Sequence, residues 1–186
     1  MIKAIFCALY FGVFTCMALA GDVIKYRSPD GKFGMLLSET EGELGITIKL
    51  IEISSRKIVL DLADSGHPYS DGSKLLWSPD STKVAFLEGD RRGGSTTVYR
   101  RSGDMFEKIV LPETPDCKNK KNIGKEFAVG VVPKRWIGSN TLLLLATNEW
   151  TDADDSDKGH QCEQTVRVIF DSAGNASAKL VKETQK

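Results

Sequence analysis

The side chains best placed to do chemistry lie in two polar stretches. One, residues 112–122, carries Lys118, Lys120 and Lys121 beside Cys117. The other, residues 149–163, opens at Glu149-Trp150 and carries Asp152, Asp154, Asp155 and Asp157 before Cys162. Aspartates in such density offer hard oxygen ligands. Asp152, Asp154, Ser156 and Glu163 fall at positions 1, 3, 5 and 12 of an EF-hand-like spacing. Position 6 of that loop needs glycine, and Asp157 stands there. No metal ligand or cofactor is assigned on this pattern, and a calcium-stabilised structural module is kept as an alternative. His67 sits in Gly66-His67-Pro68-Tyr69-Ser70-Asp71, close to hydroxyl and carboxylate groups. Triads are assembled in space rather than from sequence neighbours. There is no Gly-x-Ser-x-Gly elbow, and Gly93-Gly94 reads as a strand-to-strand turn rather than a phosphate loop. No catalytic residue is assigned, and a hydrolase-type enzyme using His67 is the second reading. Trp150, at the start of the acidic stretch, is expected to be an exposed interface anchor.

Residues 1–20 read as a secretion signal. Lys3 supplies a positive start, Ala4 to Val13 an apolar run, and Ala18-Leu19-Ala20 a small-residue cleavage site before Gly21. Phe14-Thr15-Cys16 is a poor lipidation box. Cleavage would leave Cys117 and Cys162 as the two cysteines. In an oxidising compartment they are expected to form one disulfide. Export to the periplasm, or secretion, is therefore the expected destination. The full chain has 25 basic and 25 acidic residues, a net charge of 0, so it has no electrostatic footprint for nucleic acid. The apolar run Thr141 to Thr147 is of strand length, so no stable membrane span is expected after cleavage.

The elements that must carry these stretches are strands. Ile46, Ile48 and Leu50 alternate with more polar neighbours, the period of a half-buried strand. No segment sustains a helical apolar period. Two short stretches match: Tyr26-Arg27-Ser28-Pro29-Asp30-Gly31-Lys32-Phe33, and Leu76-Trp77-Ser78-Pro79-Asp80-Ser81-Thr82-Lys83-Val84-Ala85-Phe86. Each reads as strand, turn, strand. Proline ends the first strand, and Asp30 and Asp80 can accept from main-chain N–H groups two residues on. Gly138-Ser139-Asn140 stands in the same place in a third, degraded copy. The recurrence marks repeat-like units at about 23–64, 70–112 and 123–184 of a single β domain, residues 21–186. Trp77, Phe86, Tyr99, Phe106, Phe127, Trp136 and Phe170 read as packing between the units.

Residues 77–86 resemble the repeat of TolB-type, WD40-like β-propellers, and Arg27 to Phe33 is a weaker copy. The resemblance implies about one four-stranded blade per repeat. It implies no catalytic residue, and it implies a role in binding partners or as a side domain of a peptidase. Three units fall short of the usual minimum of about four blades. The expected fold is therefore all-β: an antiparallel meander of about three four-stranded units, forming a partial propeller, a curled sheet or a sandwich. The expected function is that of an exported protein-binding module, such as an inhibitor or immunity-type protein for an envelope enzyme. It would act through Lys118, Lys120, Lys121, Trp150, Asp152, Asp154, Asp155 and Asp157. The expected partner is another envelope protein or a second copy of the chain.

Overall fold

A computed structural model describes residues 22–39, 46–63, 72–89, 93–118 and 120–185, and no described residue is α-helical. The side chains of Glu39 and residues 127–129 are outside that description, as are the expected signal and His67. Among the described residues no helix is long and apolar enough to cross a membrane.

Among the described residues twelve strands form three separate four-stranded antiparallel sheets, each a simple meander. Blade A holds β1 (Val23–Lys25), β2 (Phe33–Glu39), β3 (Ile46–Glu52) and β4 (Ile58–Ala63). Blade B holds β5 (Lys74–Trp77), β6 (Lys83–Gly89), β7 (Gly94–Ser102) and β8 (Met105–Ile109). Blade C holds β9 (Ile123–Ile137), β10 (Thr141–Asp152), β11 (Gly159–Phe170) and β12 (Ala176–Gln185). The fold is thus all-β, with three meanders that follow one another and do not close into a ring.

The Ser-Pro-Asp turns are built alike. In blade A the Phe33 N–H donates to Ser28 Oγ (3.0 Å), and that hydroxyl donates to Asp30 (2.6 Å). In blade B the Lys83 N–H donates to Ser78 Oγ (2.9 Å), and that hydroxyl donates to Asp80 (2.7 Å). Asp30 and Asp80 each accept from the N–H two residues on, those of Lys32 and Thr82, at 3.1 Å. Ser28 and Ser78 are buried. The turn therefore satisfies the main-chain groups that proline and the chain reversal would otherwise leave unpaired. Gly31 supplies the left-handed φ of +70° in the first turn, and Ser81 takes it at +60° in the second.

Blade B is packed on both faces. Against blade A it presents Leu75, Val84, Phe86, Tyr99 and Phe106, which meet Phe33, Met35, Ile48, Leu50 and Leu62. Against blade C it presents Ala85, Val98 and Ile109, which meet Leu142, Leu144, Val166, Val168 and Phe170. This is why Val84-Ala85-Phe86-Leu87 is an unbroken apolar run: a strand covered on both faces has no polar side to alternate with. Phe33, Trp77 and Phe106 form a ring cluster with centroids 5.1–6.4 Å apart.

Polar links repeat at the two junctions. Trp77 Nε1 donates to the Tyr26 carbonyl of blade A (2.8 Å), and Trp136 Nε1 donates to the Leu76 carbonyl of blade B (2.9 Å). Arg101 pairs with Asp30 at 3.0 Å and lies over the Phe33 ring. Lys83 Nζ donates to the Asn140 side chain (2.9 Å) and the Ser139 carbonyl (3.3 Å).

Candidate functional site: a strap joined to a hairpin

Residues 110–118 and 120–122, between β8 and β9, form a strap against blade C. The Cys117–Cys162 disulfide joins the strap to β11, closing a sequence separation of 45. Both cysteines are buried with Trp150 in a small cluster of their own. Around them the strap is clamped by side chains of blade C. Gln164 Nε2 donates to the Asp116 carbonyl (3.3 Å) and to Glu183 (3.0 Å). The Lys118 N–H donates to the other Glu183 oxygen (3.3 Å). The Gln164 bond, reinforced by those of Lys118 and Gln185, holds the Glu183 carboxyl below its ordinary pKa.

The second polar stretch differs from expectation. It is not a loop from 149 to 163 but a β-hairpin, with residues 153–158 outside its strands. Trp150 pairs with His160, and Asn148 with Cys162. Ala146, Trp150, Cys162 and Gln164 face inward, and charged residues between them disguise the period of two. Trp150 is accordingly not an exposed anchor. It is 4% exposed, because the strand turns it towards the disulfide, and it stacks on His160 with centroids 5.5 Å apart.

Asp152 ends β10 and accepts from Lys158 and His160, each at 2.8 Å. The Lys158 bond is the chief cause of its lowered pKa, and the same contact raises that of Lys158. The EF-hand-like spacing therefore begins on one strand, at Asp152 of β10, and ends on its paired neighbour, at Glu163 of β11. Asp152 already faces two basic groups, and Glu163 lies on the opposite face from Cys162 by strand alternation. Among the described residues no three His, Cys, Asp or Glu side chains are grouped to hold a metal.

The structure brings the two predicted stretches together, and among the described residues no ion pair joins the strap lysines to the hairpin aspartates. Lys120 pairs with Glu126 instead. Beyond the disulfide, the contact is made by Asn122, whose carbonyl accepts from Ala153 N–H (2.8 Å) and whose amide donates to Asp154 (3.0 Å). Asn122 adopts a φ of +48°, a conformation asparagine tolerates. Asp154, Asp155 and Asp157 are exposed at the hairpin tip, and Lys118 and Lys121 are exposed on the strap. Asn122, His160, Gln164 and Glu183 were not singled out from the sequence. Only the period-two burial running through Trp150 and Cys162 could have pointed to them.

No protein-family model matches the sequence, and no curated protein matches it. Among solved structures, the fold is similar to a TolB from Agrobacterium tumefaciens, at 17% identity and a TM-score of 0.39, covering 88% of this chain and 50% of that one. It is also similar to the hydrazine synthase of Kuenenia stuttgartiensis, at 13% identity and a TM-score of 0.32, covering 83% of this chain and 57% of that one. A prolyl endopeptidase gives 12% identity and a TM-score of 0.30, covering 87% of this chain and 34% of that one. The chain thus spans about half the length of the TolB structure. The propeller-like arrangement rests on the strand pairing itself and not on membership of a sequence family.

Proposed function

We propose that the chain is an exported protein-binding module whose contact surface is the hairpin tip and the strap beside it. In its concrete form it is an inhibitor or immunity-type protein that occludes an enzyme of the cell envelope. The observation that carries this reading is the covalent joining of the two polar stretches. The disulfide and the Asn122 contacts hold exposed Asp154, Asp155 and Asp157 next to the strap on a rigid sheet. Loops fixed on a stiff scaffold are common binding elements, because little order is lost on contact. A tip that exposes three carboxylates suits a basic patch on the partner, and such contacts govern association rate and specificity. Trp150 and Asp152 support the tip from within. The disulfide agrees with an oxidising compartment.

The test is affinity capture of tagged protein exported in its native host, beside a variant carrying Asp154→Lys, Asp155→Lys and Asp157→Lys. The expected result is one stoichiometric envelope protein with the wild type, released by moderate salt and lost with the variant. Capture of nothing, or of the same protein by both forms, overturns the reading.

A further inference from the structure

The junction between blades B and C is closed by side chains over only part of its length. Ala85, Val98 and Ile109 are buried there against Leu142, Leu144, Val166 and Val168. Further along β10 main chain meets main chain. A Cβ on Gly130, which pairs with Thr147, would lie 3.4 Å from the Gly93 Cα. Gly94 holds a φ of +143°, and a Cβ there would fall 2.4 Å from the Glu88 carbonyl oxygen. Thr96 Oγ1 ties the same two blades by donating to the Val131 carbonyl at 2.6 Å. Glycine lets the main chains approach, but it supplies no side chain to fill the space beside them.

The space left is a cavity of about 490 Å³, between Thr96 of β7, Val131 of β9, Leu144 of β10 and residues 111–114 of the strap. That volume lies within the range of small-molecule sites. The floor is apolar. Leu144 is buried, whereas Leu111 and Val131 are only partly buried against the junction core. The strap wall is fixed on both sides, by the pairing of Ile109 with Val98 and by the Cys117–Cys162 disulfide. It carries the carboxylate of Glu113, which is exposed and has no partner among the described residues. Thr114 beside it adds a hydroxyl that can accept a hydrogen bond. Among the described residues no basic side chain lines the cavity.

We propose that this cavity binds a small organic cation, an apolar body carrying one ammonium group. The apolar body lies on Leu111, Val131 and Leu144, and the ammonium faces Glu113. An apolar floor that gains from burial, with one polar group that fixes orientation, is the usual division of roles in such sites. The lining sets the sign of the charge. An anion of the same shape would meet the Glu113 carboxylate with no base to offset it, whereas a cation gains a charge-assisted hydrogen bond. Glu113 is exposed, so water screens the pair, and it contributes selectivity more than affinity. The site uses the first half of the strap and does not rest on the hairpin-tip reading.

Titration of the oxidised chain with n-hexylammonium, n-hexanol and n-hexanoate tests it, followed by amide chemical shifts in NMR spectra. Hexylammonium is expected to shift the Thr96, Thr114 and Leu144 amides saturably. It should bind at least about threefold more tightly than hexanol, and hexanoate more weakly than either. Glu113→Gln, at an exposed position, is expected to bring hexylammonium to within about twofold of hexanol. Thr114→Trp, which fills the cavity from the strap, is expected to weaken hexylammonium binding at least about fivefold. Circular dichroism verifies that both variants keep their sheets. Absence of saturable shifts at the lining amides overturns the proposal. So does hexanoate binding as tightly as hexylammonium, or a preference for hexylammonium that survives Glu113→Gln.

Discussion

Replacing Ser78 with alanine probes the turn that organises a blade. The hydroxyl is fully buried. It accepts from the Lys83 N–H and donates to Asp80 at 2.9 and 2.7 Å. Alanine leaves the buried N–H without its acceptor, which costs about 1–3 kcal/mol. It also removes one bond to a carboxylate, worth on the order of 1 kcal/mol at an exposed group. The expected loss is about 2–4 kcal/mol near neutral pH. Acidity adds a second readout. Burial favours a raised pKa at Asp80, but bonds from Ser78, Thr82 and Ser139 outweigh it and bring the value from 3.8 to about 2. A carboxylate with a depressed folded-state pKa contributes fully above its unfolded value, and the contribution is lost as pH falls through the folded one. Here that window runs from 3.8 down to about 2. Discounted for solvent exposure, the contribution is on the order of 1 kcal/mol. Ser78→Ala removes one of its sources, so the gap between wild type and variant should narrow as pH drops through the window. Urea denaturation of both proteins at neutral pH and at about pH 2.5 measures this. A loss under about 0.5 kcal/mol at neutral pH, or a gap unchanged by acid, refutes the reasoning.

Ser81 holds a φ of +60° where the matching turn has Gly31, and its hydroxyl accepts from the Asp30 N–H of blade A at 3.0 Å. Both Ser81→Ala and Ser81→Gly lose that bond, but only alanine keeps the strained backbone. Thermal melting should therefore find the glycine variant the more stable by about 1 kcal/mol, and equal melting would contradict this account. Cys117→Ser should lower stability by about 2–4 kcal/mol under oxidising conditions. Under reducing conditions wild type and variant should converge, and a difference that persists would assign the loss to packing around Trp150 instead.

Turn chemistry and period two make blades A and B readable in the sequence, because their apolar residues lie between Ser-Pro-Asp turns that fix the strand ends. Blade C was readable only in its middle. Proline has no N–H to give a sheet ladder, yet β9 runs through Pro133. The register against β10 passes from Arg135 to Pro133 across Leu143 and Leu144, so Lys134 is taken up as a bulge. The polar residues from Asn148 to Asp152 and from Gly159 to Glu163 resembled a loop because only one side of each strand is buried there. The same cause misplaced Trp150. Its acidic neighbours suggested exposure, but neighbours along a strand face opposite ways. The disulfide was within reach, since residues 21–186 contain only two cysteines. Junction bonds such as Lys83 to Asn140 depend on how one sheet lies against the next, which no local pattern encodes.

Each sheet is drawn from one unbroken stretch of chain, and this sets an order of assembly. Blades A and B, with their shared core, can form while blade C is still being synthesised, as contiguous units generally do. Cys117 then emerges ahead of its partner and stays an open thiol until Cys162 follows, a separation of 45 in sequence. The covalent closure is accordingly a late event, completed only once β11 is in place. During that interval the free Cys117 thiol is the point at which an oxidising catalyst, or a wrong thiol, would engage the unfinished molecule.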